Sequence, residues 1–393
     1  MSQQQISLSA DLKALQDDGY EVVIQSGYLV LLNVPYVTTD KQMKRGALVS
    51  TLDMAGDKTI KPSTHVVMFT GEYPCDKHGQ PIEKFRHKTA TQTIDSDLIV
   101  KHSFSCKPAG GYPDYYKKMT VYAGIISGPA EAIDPTATAR THAVIETDDP
   151  DEVFNYIDTA SGRAGICDIS RKLELPKVAI IGLGGTGSYV MDLVAKTPIK
   201  GIHIFDGDYY LQHNAFRSPG APTVQELRKR FFKVNYYAEL YGAMRKNIEP
   251  HAVHLDPANL HLLDDMSFVF ICIDSGAAKL PIFEKLQADG IPFVDVGMGI
   301  QQVDDKLLGI LRVTASTPDK SEHVKDRVSL ADGAEDAAYS TNIQIADLNA
   351  LNASLAVIKW KKLFGFYVDL ENEHSSNYTL DGNIINNSDK PKS

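Results

Sequence analysis

The sequence predicts an α/β chain, with a doubly wound, mostly parallel sheet preceded by a smaller α+β domain. Three observations carry this. From Pro176 onward, short apolar runs alternate with amphipathic segments in the manner of βαβ units. The first of these runs, Val178–Ile181, leads directly into the glycine-rich stretch Gly182-Leu183-Gly184-Gly185-Thr186-Gly187. Before Pro176 the strand-like runs follow one another without that alternation. At 393 residues the chain is long enough for two or three domains.

Taken in order, the pattern from Ser9 to Gly19 reads as a short amphipathic helix, with Ser9 as its cap and Gly19 as its end. Tyr20–Ile24 and Tyr28–Asn33 read as strands around a turn at Ser26-Gly27. Further strand-like runs are Thr64–Thr70, Leu98–Phe104 and Met119–Ile126, separated by loops such as Lys107–Pro113. The expected first domain is 1–140, with a boundary near Asp134–Thr141. A helical linker is expected over 141–172, its helix started by the acidic run Asp148-Asp149-Pro150-Asp151-Glu152 and running to about Ala160. Within 173–368, strands are expected at Val178–Ile181, Ile202–Phe205, Ala252–Leu255, Phe268–Ile273, Phe293–Val296 and Leu307–Val313. Helices are expected at Ser188–Lys196, Val224–Asn247, Ala277–Asp289 and Ile343–Phe364. Gln302–Asn342 reads as polar and loop-like, and 369–393, rich in Asn, Ser, Asp and Lys, as a flexible tail.

Composition narrows the function classes. Hydrophobic residues are 43% and charged residues 23%, as in ordinary globular proteins, and the formal net charge is -10. An acidic chain disfavours non-specific binding to nucleic acid or to anionic lipid. The four cysteines, Cys75, Cys106, Cys167 and Cys272, are widely spaced and suggest a reducing compartment rather than a disulfide framework. Met1–Leu15 lacks the apolar core of a signal peptide, and no stretch is apolar for long enough to span a bilayer. A cytoplasmic protein is expected, without nucleic-acid or membrane partners.

The strand–glycine turn–helix context makes the Gly182–Gly187 stretch a candidate phosphate site. Glycines let the backbone turn sharply and approach a phosphate, and the following helix presents free N–H groups and its positive dipole end. Gly182, Gly184, Gly185 and Gly187 are the candidate contacts, and Asp206, at the end of the next strand, has the spacing of a ribose-binding acid. A dinucleotide-dependent oxidoreductase fits these residues equally well.

The next motif separates the two. Asp206-Gly207-Asp208, then Asn214-Ala215-Phe216-Arg217, Lys233 on a following helix and Asp274 after Ile271-Cys272-Ile273 together resemble the ThiF/MoeB and ubiquitin-activating enzyme family, over about Pro176 to Phe364. The resemblance implies a Rossmann-like adenylation domain that uses ATP and Mg²⁺ to convert a C-terminal carboxylate into an acyl-adenylate. It implies that Arg217, Lys233 and Asp274 are catalytic, with Asp274 also holding Mg²⁺. It makes Asp206, Asp208 and Asn214 nucleotide ligands beside the four glycines. Charge explains these types: as pyrophosphate leaves, negative charge builds on the phosphates and needs placed cations, while Mg²⁺ prefers oxygen ligands. Ala215 and Ser218 stand where the family usually has Leu and Gln, and Ser275 where Asn often follows the aspartate. The segment between Arg217 and Lys233 is longer than in the simplest members.

The resemblance further implies a homodimer, with Arg163 or Arg171 as an arginine reaching the partner's ATP, and places 302–342 over the tail of a ubiquitin-like protein ending in glycine. No cysteine lies between Ser275 and Ser393, so the acyl acceptor is open: a partner's thiol, Ser329, Ser340, Thr341, Cys75 or Cys106. Cys272, inside an apolar strand, reads as a core residue. The first domain, through segments such as Thr64-His65-Val66 and Gly71-Glu72-Tyr73-Pro74-Cys75, resembles a domain found beside ThiF-like modules in bacterial ubiquitin-like conjugation operons and viewed as related to conjugating enzymes. Its expected roles are acceptor, binding surface for the ubiquitin-like protein or for a separate conjugating enzyme, or a zinc site through Cys75-x-x-His78. A phage-defence setting follows from resemblance alone. The alternatives are adenylation of a small carboxylate or a tRNA base, an oxidoreductase, and an inactive scaffold.

Overall fold

A computed structural model describes residues 2–147, 151–328 and 343–390. The chain divides into two compact units, Met1–Ile145 with Asp158–Gly165, and Glu146–Ile157 with Ile166–Ser393.

The first unit contains α1 (Ser2–Leu8), α2 (Ala10–Asp17), β1 (Val22–Gln25), β2 (Tyr28–Val37), β3 (Met43–Thr51), β4 (Met54–Ala55), β5 (Lys58–Thr59), β6 (Val66–Phe69), β7 (Arg86–Asp95), β8 (Leu98–Ser105), α3 (Tyr115–Glu131) and α4 (Thr159–Ala164). Six of the strands form an antiparallel sheet in the order β1-β2-β3-β6-β8-β7. Ser26 and Gly27 both have positive φ, as a two-residue hairpin turn demands. Ser9 precedes α2 but does not cap it; its hydroxyl accepts from the Thr59 N–H at 3.1 Å. Met119–Ile126, expected as a strand, lies inside α3. Its Val, Tyr and Ile content suits a strand, but the buried residues Tyr115, Met119, Tyr122 and Ile126 recur at helical spacing. The Asp114 carboxylate caps the helix by accepting from Lys117 N at 2.7 Å. Strands β3 and β7 have no counterpart among the expected elements.

The second unit contains α5 (Cys167–Ser170), β9 (Lys177–Ile181), α6 (Gly185–Ala195), β10 (Gly201–Phe205), α7 (Gln212–Ala215), α8 (Val224–Lys229), α9 (Lys233–Gly242), β11 (Ile248–His251), β12 (Phe268–Ile271), α10 (Gly276–Ala288), β13 (Phe293–Val303), β14 (Lys306–Ser316), α11 (Val324–Arg327), α12 (Ala346–Leu363), β15 (Ser375–Thr379) and β16 (Ile384–Ser388). They build one sheet in the order β11-β10-β9-β12-β13-β14-β15-β16. The first five strands are parallel and the last three join antiparallel. Both faces are covered. Val178 and Ile180 pack with Met191, Tyr237 and Trp360 on one side, Ala179 and Ile181 with Phe283 and Leu286 on the other. Strand β9 lies between β10 and β12, so the strand order reverses there. The crevice beyond the carboxyl ends of β9 and β12 is therefore where such a sheet binds ligands.

Several expected elements are corrected. The helix over Val224–Asn247 is two helices, because Arg230 turns left-handed at φ 51° and the chain pairs backward. Tyr210 N donates to Phe231 O at 2.8 Å, and Lys233 N donates to Asp208 O at 2.9 Å. The strand placed at Ala252–Leu255 is instead β11, Ile248–His251. The helix-start signal at 148–150 lies outside the described residues, and Asp151–Ile157 is not helical. Phe154 and Asn155 bridge to Arg245 and Met244. The Arg245 guanidinium is buried there and donates to the carbonyls of Ala195, Thr197 and Ile199. The region 302–342 is not loop throughout, since it includes β14 and α11.

The flexible tail is also overturned. Residues 375–388 form β15 and β16, and β15 pairs with β14. Ahead of them, Asp369 and Glu373 are clasped by Lys359 and Lys362, with Lys359 Nζ 3.1 Å from Asp369 and Lys362 Nζ 3.0 Å from Glu373. Polar composition suggests disorder, but the segment needs only one apolar face and this buried ion-pair clasp to stay in place. Among the described residues no helix is long and apolar enough to cross a membrane.

Burial alone would raise the Asp369 carboxyl, but hydrogen bonds from Asn372 N and Lys359 outweigh it and hold it down to about 2. A depressed carboxyl contributes stability above its unfolded pKa, about 3.9, and loses it as pH falls toward the folded value. The chain has one tryptophan, the buried Trp360, which reports on the second unit. Acid titration followed by Trp360 fluorescence should show stability falling between about pH 4 and 2. Asp369→Asn should flatten that dependence.

Candidate nucleotide site

The glycine turn leaves β9 at Gly182. Its φ of +86° favours glycine, and a Cβ there would stand 2.8 Å from Cys272 O, too close for any side chain. At Gly187, the first turn of α6 packs so closely on Gly182 O that no side chain fits. Helix α6 begins at Gly185, earlier than the expected Ser188, so its free N–H groups open directly into the crevice.

Asp206 follows β10 and is almost fully buried. Its Oδ2 accepts from Leu183 N at 2.7 Å and its Oδ1 from Asp208 N at 2.9 Å. Lys233, the first residue of α9 and only 6% exposed, places Nζ 3.2 Å from both Asp206 oxygens and 2.7 Å from Asp208 Oδ2. The Lys233 hydrogen bond holds the Asp208 carboxyl below the usual carboxylate range. The two aspartates thus hold the lysine where phosphate would arrive, and Asp206 is bound to the glycine turn itself.

Arg217 lines the same cleft, and its Nε is buried without a hydrogen-bond partner among the described residues. Burial, then the charges of Arg217 and Lys233, push the His213 imidazole below its ordinary pKa. Asp274 is exposed and lies in the loop beyond β12, next to Ser275, which caps α10. It lines the cleft with Gly182, Gly184 and Gly185. Asn214 is buried; its Oδ1 caps α7 by accepting from Leu211 N at 2.8 Å, and its Nδ2 has no hydrogen-bond partner among the described residues. Its position orders the Arg217 segment. Arg163 pairs with Asp17 at 3.8 Å in the first unit, and Arg171 pairs with Asp168 at 2.8 Å.

Sequence reasoning missed the far wall. Asp295 on β13 is fully buried between Lys279 of α10 and Arg312 of β14, each at 2.6 Å. Gly297 leaves room for the Arg312 guanidinium. Asn352 of α12 donates to Gly297 O at 3.1 Å. A signal did exist, since a single acid inside the apolar strand Phe293–Val296 requires buried partners. The whole cleft measures about 1400 Å³, beyond the roughly 300–1,000 Å³ of a pocket for one small ligand.

The glycine turn, Lys233, Arg217 and Asp274 line one cleft, which sets N–H donors, two cations and a carboxylate side by side. The family model for ThiF matches residues 152–378, more than half of the chain. The chain belongs to the ThiF family. In this ThiF-family chain, residues 10–159 match a domain of unknown function, DUF6791. No match is found among curated proteins. Similar solved structures include selenomethionine PaaA, at 19% identity and TM-score 0.45, and Escherichia coli MccB with ATP, at 18% and 0.45. A third is the microcin C7 biosynthetic enzyme MccB in complex with N-formylated MccA, at 18% and 0.46. Each likeness covers 57% of this chain and 67% of the other.

Of the two acceptor candidates in the first unit, Cys106 is half-buried, and Cys75 fits a receiving role poorly. Cys75 is fully buried, its Sγ 3.5 Å from Tyr73 O, and burial pushes its thiol up. Cys272 is partly buried and lines the cleft, and burial pushes its thiol well above the usual range. A thiol so raised holds little thiolate at neutral pH. Ser329, Ser340 and Thr341 lie outside the described residues. Cys75 and His78 belong to no metal-holding group of three or more His, Cys, Asp or Glu among the described residues.

Removing one member of a buried ion cluster strands its partners. Asp295→Ala should therefore destabilise the second unit by about 3–5 kcal/mol, read from denaturant unfolding by Trp360 fluorescence.

Proposed function

We propose that this protein adenylates the C-terminal carboxylate of a ubiquitin-like protein ending in glycine, consuming ATP and releasing pyrophosphate. The observation that carries the reading is the convergence of Lys233 and Arg217, with its buried unpartnered Nε, on the α6 N-terminus, in a cleft larger than a nucleotide needs. ThiF-family membership supports the nucleotide half.

In this reading the substrate carboxylate oxygen forms a bond to the α-phosphorus. The bond from that phosphorus to the oxygen bridging the β-phosphorus breaks, and the electron pair leaves on pyrophosphate. The α6 N–H groups bind phosphate oxygens. Lys233 and Arg217 stabilise the charge that builds on the leaving group. Asp206 and Asp208 hold Lys233 in place beforehand. Asp274, an exposed carboxylate lining the cleft, would hold Mg²⁺, which would supply charge neutralisation at the phosphates. The remaining cleft volume, beyond the phosphate end, takes the substrate tail. The raised thiols of Cys75 and Cys272 leave Cys106, or a thiol on a partner such as a separate conjugating enzyme, as the acceptor. A homodimer, and a bacterial conjugation pathway serving phage defence, complete the reading.

The test is ATP–pyrophosphate exchange with Mg²⁺ and the processed ubiquitin-like protein. Exchange should require the terminal glycine and fall about 100-fold or more in Lys233→Ala, the scale seen when one transition-state donor is removed. Exchange with small carboxylates but not with the protein tail would sink the substrate assignment.

A further inference from the structure

Asn349, in the first turn of α12, is fully buried although it is polar and lies far in sequence from every residue of the motif. Its Oδ1 accepts from Thr186 Oγ1 at 3.1 Å, in the glycine-rich turn. Its Nδ2 donates to Arg217 O at 3.2 Å. The fit is close: at Gly185 a Cβ would overlap the Asn349 carboxamide. A single carboxamide therefore touches three positions of the cleft, two on the phosphate-binding turn and one on the segment that supplies the cation. An amide suits this because it offers an acceptor and a donor in one plane at a fixed separation. A buried amide with both ends engaged also holds its neighbours in one arrangement.

We propose that Asn349 is a positioning residue that sets Arg217 against the phosphate turn. This rests on the reading of the cleft as an ATP site. Asn349 itself does not line the cleft, so its effect passes through the backbone of Arg217 and the side chain of Thr186. Arg217 is suited to being positioned in this way, since its Nε has no partner among the described residues to fix the guanidinium. Moving its backbone would move an otherwise untethered donor.

The experiment measures the ATP dissociation constant, with Mg²⁺, for the wild type, Asn349→Ala, Arg217→Ala and the double variant. Asn349→Ala should weaken binding about tenfold, the scale of one or two lost hydrogen bonds. If Asn349 acts through Arg217, the double variant should bind no more weakly than Arg217→Ala alone. A double variant weakened by the product of the two single factors would overturn the proposal, because the two residues would then act separately. Native Trp360 emission checks that each variant is folded. Should Asn349→Ala fail that check, Asn349→Leu, which nearly keeps the volume and removes both arms of the bracket, takes its place in the same cycle with the same two outcomes. The cycle reads nucleotide affinity alone. A wild type that binds ATP but exchanges no pyrophosphate would count against the proposed function and leave the cycle fully readable. A wild type that binds no ATP would overturn both.

Discussion

The buried carboxylate of Asp206 is the interaction on which the candidate site depends. One oxygen takes the Leu183 N–H and the other takes the Asp208 N–H, while the Lys233 ammonium lies across both. Three separate pieces of chain are thereby tied to one charge: the glycine turn, the strand end of β10 and the start of α9. Burying a carboxylate is tolerable only when such partners surround it. Once they do, the turn cannot drift from the lysine without breaking several charge-assisted bonds. The opposite wall repeats the arrangement with Asp295 between Lys279 and Arg312. Asp206 shares one ammonium with Asp208, while Asp295 has two cations, and a buried acid thus fixes each wall of the cleft.

What is legible in the sequence is what is local. The strand Val178–Ile181, its glycine turn and the acid after β10 follow from steric and dipolar rules acting over a few residues. Lys233 is legible as a position but not as a geometry. The periodicity of 224–247 gives no sign that residues 231–233 break away to pair with 208–210. Asn214 matches a motif, yet the motif gives no sign that its Oδ1 caps α7. Asn349 reaches Thr186 across 163 positions, a contact that no window of sequence contains.

The misread elements share a cause. Ser375–Thr379 and Ile384–Ser388 are polar enough to look mobile, but they add to a sheet already formed and need little apolar surface of their own. Met119–Ile126 carries side chains that favour strands, and burial at helical spacing overrides that preference. In both cases tertiary packing outweighs a weak local preference.

The buried Arg245 has a consequence for the opposite end of the helix it touches. Its guanidinium meets the carbonyls of Ala195, Thr197 and Ile199, just where α6 ends. A helix is an electrical dipole, and its negative pole weakens the pull that its positive pole exerts on an anion. With a permanent cation seated against the negative pole, α6 behaves less like a bar with two signs and more like a single positive terminal, eleven residues long, aimed at the glycine turn. Arg245 never approaches a ligand, yet it strengthens the field that a phosphate group would meet.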